Sequence, residues 1–439
     1  MSAAHCATGR TTAAGDGFPA AEFAITSADT GQETPGRDGM SGNARARRMR
    51  EQEWLYDRLI RANGPDFYWP MTEETLCTVG MDGAGDIRAV RNSVKRFVEI
   101  TREMKRIAEK RENMAEKAER DGHLLTAADN YFAAAAFYCM AQGPIHRDGD
   151  SLNLSLSAKK NACYDRFIRH ANRPIERVEI PFGGTSLPGL LHLPPGRQGR
   201  VPCVVFLGGM DNFKEMLVTG HGDKFLERGM AVLAFDGPGQ NEALISRGIR
   251  VTADNFVDAG RAVMDYVEGR PELDAGKVGI TGISMGSFWL TQIFAADPRY
   301  KAAAGFYVCH ENGMNTIFNV AIPMFKDRFM WMAGYEDEAA FDDFAKTLTL
   351  EGLGAKIDRP YLIVAGEDDD LSPIEHTYRL YEEIAGPKTL VVYRGEVHGV
   401  TDNLDVRALI ADWMRDRFDG RPLESRSMLM DCRTGMEVF

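Results

Sequence analysis

A serine, a carboxylate and a histidine occur along this chain in an order that allows them to act together in acyl transfer. Residues 282–286 read Gly-Ile-Ser-Met-Gly, after a short β-type apolar run at 277–281 and before an apolar, helix-type run at 287–296. A serine in a tight turn between a strand and a helix has a strained backbone and an exposed hydroxyl, and small flanking residues permit the close approach. This context predicts Ser284 as a nucleophile.

The acid is expected in a loop after a later strand. The apolar run 361–365 leads into Gly366 and then into four consecutive acids at 367–370. A carboxylate three positions after that glycine has the expected spacing, which predicts Asp369 as the acid. A run of four acids is also typical of a solvated loop, so the other members remain alternatives. They are Glu367, Asp368 and Asp370.

The general base is predicted in the loop that follows the last apolar strand. Residues 388–393 read as that strand, and His398 comes five positions after it. The resulting chain order of serine, aspartate and histidine is the order found when this triad is built on an α/β-hydrolase sheet.

An oxyanion formed at the substrate would need two backbone N–H donors. The apolar strand at 201–207 ends in a Gly-Gly turn, which leaves N–H groups free to point towards a developing negative charge. We expect the donors to be the N–H groups of Met285 and Met210. Gly209 is the alternative to Met210 if the turn is offset by one residue.

Three further polar residues at strand ends are candidates for a substrate-orienting or proton-donating role. His310 and Glu311 follow the strand predicted at 302–308, and Asp236 follows the strand that begins at Met230. Carbon–carbon hydrolases need such a donor because their carbanion leaving group must be protonated as it departs. A solvated pair at a strand end is the simpler explanation of His310 and Glu311, and the Gly-Pro-Gly segment after Asp236 reads as a turn.

Several motifs together resemble one branch of the α/β-hydrolase superfamily. They are Leu-Gly-Gly-Met-Asp at 207–211, Lys-Glu at 214–215, Phe-Asp-Gly-Pro-Gly-Gln at 235–240 and the serine pentapeptide. This branch includes 2,6-dihydroxypseudooxynicotine hydrolase, the fungal hydrolases that shorten a heptaketide in pigment synthesis, and the fermentation-respiration switch esterases. The resemblance covers roughly residues 86–418 and departs at Asn241, where the branch is expected to have glycine. It implies the same triad and an N-terminal helical domain that covers the site.

The predicted organisation has four parts. Residues 1–43 have hardly any large apolar side chains and read as a disordered tail. A helical cap domain is predicted at 44–175, and an α/β-hydrolase catalytic domain at 176–420, where strands and helices alternate as in a mostly parallel sheet with helices on both faces. An insertion at 310–356 is predicted to be a helical lid. A C-terminal tail is expected at 421–439.

The candidate pocket residues lie in one predicted helix of the helical region and in the predicted lid. Residues 91–120 show apolar side chains at a spacing near 3.6, which indicates an amphipathic helix, whereas 125–140 is apolar almost all round and indicates a buried helix. The aromatic residues of that helix and of the lid either pack internally or line a substrate pocket. They are Tyr131, Phe132, Tyr138, Phe318 and Trp331.

Composition excludes several classes of function. The chain has 439 residues, of which 44% are hydrophobic and 26% charged, as in a globular protein, and its net charge of -12 argues against nucleic acid as a partner. No apolar run reaches membrane-spanning length and no secretion signal is recognisable, so we expect a cytoplasmic protein with no membrane partner. Seven cysteines show neither close pairs nor zinc-type spacing, so no disulfide framework, metal or other cofactor is expected.

These observations predict a serine hydrolase that acts on a small molecule. The resemblance favours cleavage of a carbon–carbon bond next to a ketone in an aromatic or polyketide-like substrate, and it also implies a homodimer. Cleavage of an ester or thioester, or cyclisation or transacylation, by the same triad is the nearest alternative. The non-enzymatic alternative is a catalytically idle hydrolase fold that acts as a binding module.

Overall fold

A sheet of ten strands lies at the centre of the computed structural model, which describes residues 47–65, 78–220, 223–400 and 405–438. The tail predicted at 1–43 lies outside these residues. The strands are β1 Ile175–Phe182, β2 Thr185–His192, β3 Val201–Leu207, β4 Ala231–Phe235, β5 Leu273–Ser284, β6 Ala302–Val308, β7 Tyr361–Gly366, β8 Lys388–Tyr393, β9 Arg426–Asp431 and β10 Met436–Glu437. Their spatial order is β1-β2-β4-β3-β5-β6-β7-β8-β9-β10. The seven adjacent strands from β4 to β9 in this order, which include β3, are parallel to one another.

Helices precede the sheet and alternate with its strands. They are α1 Arg47–Asn63, α2 Ala84–Ser93, α3 Ile100–Arg120, α4 Leu124–Gln142, α5 Ser151–His170, α6 Lys214–Leu217, α7 Lys224–Glu227, α8 Asn241–Ile245, α9 Asn255–Glu268, α10 Met285–Ala296, α11 Pro323–Ala333, α12 Glu338–Ala345, α13 Ile374–Glu383 and α14 Val406–Phe418. A π-helical turn spans Thr316–Val320, and short 3-10 turns occur at Met81–Gly83, Phe97–Glu99 and Gly354–Lys356. Within the described ranges, none of the helices has the length and apolar character needed to cross a bilayer.

Alternate side chains of each central strand pack on opposite faces of the sheet, as the two-residue period of a strand requires. In β3, Val205 belongs to the larger apolar core, which includes α9 and α10, whereas Val204 belongs to a second core with α7 and α14. Both side chains are fully buried. The sheet is therefore covered by helices on both faces, in agreement with the sequence prediction.

The segment predicted to be a C-terminal tail instead extends the sheet. Residues 426–431 form β9, which pairs in parallel with β8, and 436–437 form β10 against β9. The prediction of 388–393 as the last strand was therefore wrong. The pattern was weak because β9 is rich in methionine rather than β-branched residues and lies near the sheet edge with half-exposed side chains, so tertiary pairing decides its conformation.

The helical pattern predicted across 91–120 is interrupted in the structure. Helix α2 ends at Ser93 and α3 begins at Ile100, with an extended Arg96 between them. The Glu99 carboxylate accepts the N–H groups of Lys95 and Arg96, so it caps the 3-10 turn at Phe97–Glu99 that leads into α3. Side-chain capping of this kind competes with continuation of the preceding helix.

A buried cluster of charged side chains connects helix α5 to the segments that follow strands β3 and β4. Lys214 Nζ lies 2.9, 2.8 and 2.7 Å from the carboxylates of Glu215, Asp236 and Glu242. Lys160 of α5 pairs with Glu215 at 2.5 Å. Burial alone would lower the pKa of Lys214, but the three carboxylates raise it well above its ordinary value, so the side chain stays charged.

We expect the Lys214→Met variant to lose about 3–5 kcal/mol of unfolding free energy, because it leaves three buried carboxylates without their shared partner. Urea denaturation followed by circular dichroism measures this loss. The matched control is Lys224→Met, which removes only a half-exposed pair with Glu227 and should change stability by less than about 1 kcal/mol. Equal losses in the two variants would contradict a stabilising role for the cluster.

Candidate active site

Ser284 occupies a sharp turn between the end of β5 and the start of α10. Its backbone has φ 53° and ψ -127°, a combination that residues other than glycine rarely adopt. A methyl group on Gly286 would lie 2.5 Å from the Leu207 carbonyl oxygen, and one on Gly282 would lie 2.4 Å from the Gly286 carbonyl oxygen. Only glycine fits at either position, and the tight turn presents the Ser284 side chain at the carboxyl edge of the sheet.

His398 and Asp369 lie in line with the Ser284 hydroxyl. The distance from His398 Nε2 to Ser284 Oγ is 3.0 Å, and His398 Nδ1 lies 2.9 Å from Asp369 Oδ2. Asp369 is held in turn by the backbone N–H groups of Leu371 and Ser372, which donate to its Oδ1 atom. These are hydrogen-bonding distances, so the structure brings together the three residues predicted as a triad.

Burial and the charge of Asp369 act on the pKa of His398 in opposite directions. Burial alone would lower the pKa of His398, but the neighbouring carboxylate raises it well above its ordinary value of 6.5. The alternative acids are placed differently. Asp368 and Asp370 are exposed, and the Glu367 carboxylate accepts the N–H of Gly395.

In the part of the chain that the structure describes, the backbone N–H groups of Met285 and Met210 donate no hydrogen bond. The N–H of Gly209, by contrast, donates to Asn212 Oδ1 at 2.8 Å. A methyl group on Gly209 would lie 3.0 Å from Ser284 Cβ, so this turn passes directly beside the predicted nucleophile. The arrangement favours Met210 over Gly209 as the second donor.

Asn241 has a structural role that explains its departure from the pattern of the resembled branch. Its φ is +23°, in the left-handed region that glycine adopts freely and that asparagine tolerates. The Asn241 side chain donates to the carbonyl oxygen of Asn212 at 2.6 Å and accepts from Arg328 at 3.3 Å. It also donates to Asp236 Oδ1 at 3.4 Å. Asparagine thus keeps the backbone conformation and adds three hydrogen bonds that glycine cannot make.

Sequence reasoning missed Cys309, which lies next to the predicted nucleophile. Its Sγ atom is 3.7 Å from Ser284 Oγ, and its backbone N–H donates to Ser287 Oγ. The available signal was its position directly after β6, at the same edge of the sheet as Ser284.

His310 and Glu311 lie beyond the end of β6 and are engaged by their own surroundings. His310 Nδ1 is 3.1 Å from Thr377 Oγ1, and burial lowers the pKa of His310 to about 3, so the ring stays neutral. The Glu311 carboxylate accepts the N–H of Thr316 at 2.7 Å. Within the described residues, neither side chain forms a hydrogen bond with the predicted triad.

Asp236 belongs to the buried charge cluster rather than to the predicted triad. One of its carboxylate oxygens lies 2.8 Å from Lys214 Nζ, and the other accepts the Lys214 N–H at 3.3 Å. The carboxylate is therefore committed to structural contacts. This geometry corrects the suggestion that Asp236 donates a proton to a substrate.

The aromatic residues of α4 contact neighbouring helices. Tyr131 donates to Glu119 and Tyr138 to Glu112, both on α3. The ring of Phe132 packs against Phe167 of α5. These contacts are those of a core helix, which was the simpler of the two sequence interpretations.

The two aromatic residues of the segment predicted to be a lid lie in different environments. Phe318 is fully buried and packs against Phe329 and Phe341 within the 310–356 segment. Trp331 donates to Asp148 and lines a separate cavity of about 260 Å³. Trp331 therefore faces this cavity, and Phe318 faces the apolar interior of the 310–356 segment. In the described ranges, no group of three or more His, Cys, Asp or Glu side chains is placed to hold a metal ion.

A mostly parallel sheet with a strained serine turn at its carboxyl edge defines an α/β hydrolase by fold. The model of the FrsA-like esterase family matches residues 106–419, so the chain belongs to that family. The solved structure of 2,6-dihydroxy-pseudo-oxynicotine hydrolase is similar, with a TM-score of 0.71 over 81% of this chain and 98% of that chain at 23% identity. At this identity the likeness concerns the fold. The predicted fold and the resemblance to this branch are confirmed.

Curated relatives of the chain include fungal α/β hydrolases. "Alpha/beta hydrolase xenA" of Xenoacremonium sinensis is 28% identical over 250 residues, which cover 55% of this chain and 57% of the relative. "Hydrolase ORFZ" of Pyricularia oryzae is 29% identical over 247 residues, which cover 52% of this chain and 56% of the relative. The chain thus spans little more than half the length of these relatives.

We expect NMR titration of the chain labelled with ¹⁵N-histidine to give His398 a pKa above 6.5, because the Asp369 carboxylate stabilises the protonated ring. Asp369→Asn removes that negative charge, so the pKa of His398 should fall. The neighbouring Asp368→Asn variant changes an exposed carboxylate and should leave the pKa unchanged. If the pKa of His398 falls only in the Asp368→Asn variant, the assignment of Asp369 as the acid is wrong.

Proposed function

We propose that this chain is a serine hydrolase in which Ser284 is the nucleophile, His398 the general base and Asp369 the residue that orients the imidazole. The observation that carries the proposal is the unbroken line of hydrogen bonds from Asp369 through His398 to the Ser284 hydroxyl. Membership of an esterase-like family and the hydrolase names of the relatives support the same class of reaction.

In the first half of the reaction, the Ser284 hydroxyl loses its proton to His398 Nε2 while its oxygen bonds to the substrate carbonyl carbon. The carbonyl electrons move onto the oxygen, and the N–H groups of Met285 and Met210 stabilise this oxyanion. The intermediate then collapses, the bond to the leaving group breaks, and the leaving group takes the proton from His398. An acyl group remains on Ser284.

In the second half, a water molecule gives a proton to His398 and attacks the acyl carbon, which forms a second oxyanion in the same place. Collapse breaks the bond to Ser284 Oγ, and His398 returns the proton to that oxygen. The products are a carboxylic acid and the protonated leaving group, and the enzyme is regenerated.

The bond that we propose is a carbon–carbon bond next to a ketone in an aromatic or polyketide-like small molecule. In a β-diketone the leaving group is an enolate, which is stable enough to depart when a proton is delivered to it. The similarity of the motifs between residues 207 and 240 to the branch described above supports this choice.

Ester cleavage is the second candidate, and the description of the matching family as esterase favours it. An alkoxide leaving group takes its proton from His398, as the enolate does in the mechanism above. The same triad serves both reactions, and the substrate distinguishes them.

Labelling with a fluorophosphonate tests the nucleophile. We expect the native chain to take up one equivalent at Ser284, measured by intact-mass spectrometry, and the Ser284→Ala variant to take up none. The control Ser427→Ala changes an exposed serine of β9 and should be labelled like the native chain. A native chain that stays unlabelled, or a Ser284→Ala variant labelled equally well, would favour an idle fold.

A paired substrate panel tests the bond. We expect aryl β-diketones to be hydrolysed with a higher kcat/KM than aryl esters matched in size, with both products identified by mass spectrometry. Turnover of the esters alone would reject carbon–carbon cleavage while leaving the serine hydrolase proposal intact.

A further inference from the structure

The Asp-Gly-Pro-Gly-Gln motif after β4 ends in a buried glutamine that the proposed mechanism does not use. Gly237 lies so close to Phe256 that a methyl group would be 2.4 Å from the ring, and Gly239 has φ +79°. Both glycines therefore permit a compact turn that no larger residue could form without strain. The turn directs the side chain of Gln240, which is 1% exposed, towards the end of β3.

Every polar atom of the Gln240 side chain is paired. Its Oε1 atom accepts the N–H of Gly237 at 2.7 Å, while its Nε2 atom donates to the carbonyl oxygens of Gly208 at 3.0 Å and Gly209 at 2.7 Å. The opposite orientation of the amide would place oxygen against two carbonyls, so this arrangement is the one that satisfies all the groups. Buried amides held in this way are rigid.

The contact with Gly209 controls the direction of the proposed oxyanion donor. The Gly209 carbonyl and the Met210 N–H belong to one planar trans peptide unit, in which they point in opposite directions. A hydrogen bond from Gln240 that holds the carbonyl on one side therefore holds the N–H on the other. It also polarises the peptide, which makes the N–H a stronger donor.

The next carbonyl of the turn is held from a different element. Arg328 of α11 is buried, and its Nε atom donates to the Met210 carbonyl oxygen at 2.8 Å. The peptide units before and after the Met210 α-carbon are thus both fixed by side chains. Gln240 acts on the unit that carries the Met210 N–H, and Arg328 acts on the following one.

We infer that Gln240 is a positioning residue of the oxyanion hole: it holds the Gly209–Met210 peptide with its N–H directed at the reacting carbonyl oxygen. This inference rests on the proposed serine hydrolase function. It assigns a task to the glutamine of the Asp-Gly-Pro-Gly-Gln motif, which otherwise reads as a turn. The residue acts through the backbone and touches no reacting atom.

The test replaces the donor atom with an acceptor. In Gln240→Glu one carboxylate oxygen still accepts from Gly237, but the other faces the two carbonyls and repels them. Because removal of one oxyanion donor lowers kcat by about 10²–10³-fold, we expect loss of its orientation to lower kcat by roughly 10–100-fold with little change in KM. Gln240→Met, which introduces no buried charge, should give the same split.

Inhibition by an aryl trifluoromethyl ketone provides the second readout. Its adduct with Ser284 carries an oxyanion, so its inhibition constant should rise by about the same factor as kcat falls, roughly 10–100-fold. The matched control is Gln292→Glu. Gln292 is another buried glutamine, and its Nε2 atom donates to the Ala253 carbonyl oxygen, away from the Gly209 turn. This control should leave kcat and the inhibition constant within about twofold of the native values.

The outcomes separate this inference from the proposed function. If the folded native chain reacts with neither the fluorophosphonate nor the ketone, the serine hydrolase proposal fails, and the inference fails with it. If the native chain reacts but the folded Gln240→Met variant keeps native kcat and ketone affinity, the inference alone is overturned. A rise in KM with unchanged kcat would also overturn it, since it would indicate a role in substrate binding.

Discussion

The contact between the serine turn and the end of β3 is the constraint on which the candidate site depends. A methyl group on Gly286 would meet the carbonyl oxygens of Leu207 and Gly208 at 2.5 and 2.8 Å, so helix α10 can lie this close to the neighbouring strand only because that position is glycine. This approach puts the Ser284 side chain beside the turn that carries Met210. The predicted nucleophile and the proposed donors to the oxyanion are thereby positioned by one backbone contact.

Buried charge is used in two different ways around this framework. In the cluster centred on Lys214, three carboxylates surround one ammonium group and Lys160 adds a second, so ion pairs hold α5 against the strand ends. Asp369 instead has one titratable partner in line with Ser284, so its charge acts on the protonation of His398. The first arrangement stabilises a fixed structure, and the second would favour the proton transfer that we propose.

The sequence predicted those parts that are encoded locally. The turn at Ser284 was predictable because strand, turn and helix follow one another within about twenty residues, and the central strands because their apolar runs are short and uninterrupted. The break between α2 and α3 was not, because it depends on Glu99 as a cap and on the Phe97 N–H donating to Asp57, forty positions earlier. Strand β9 was missed because its residues favour a strand only when β8 lies beside it.

The amino-acid sequence by itself determined the order of Ser284, Asp369 and His398 along an α/β sheet, since backbone preferences and apolar spacing act over a few residues. Only the tertiary structure decided which partner each buried polar group has. Asp236 pairs with Lys214, and Gln240 reaches Gly209 across 31 positions of sequence. A buried polar group must be satisfied by whichever segment folding brings within about 3 Å, and that segment is set by the packing of the whole sheet.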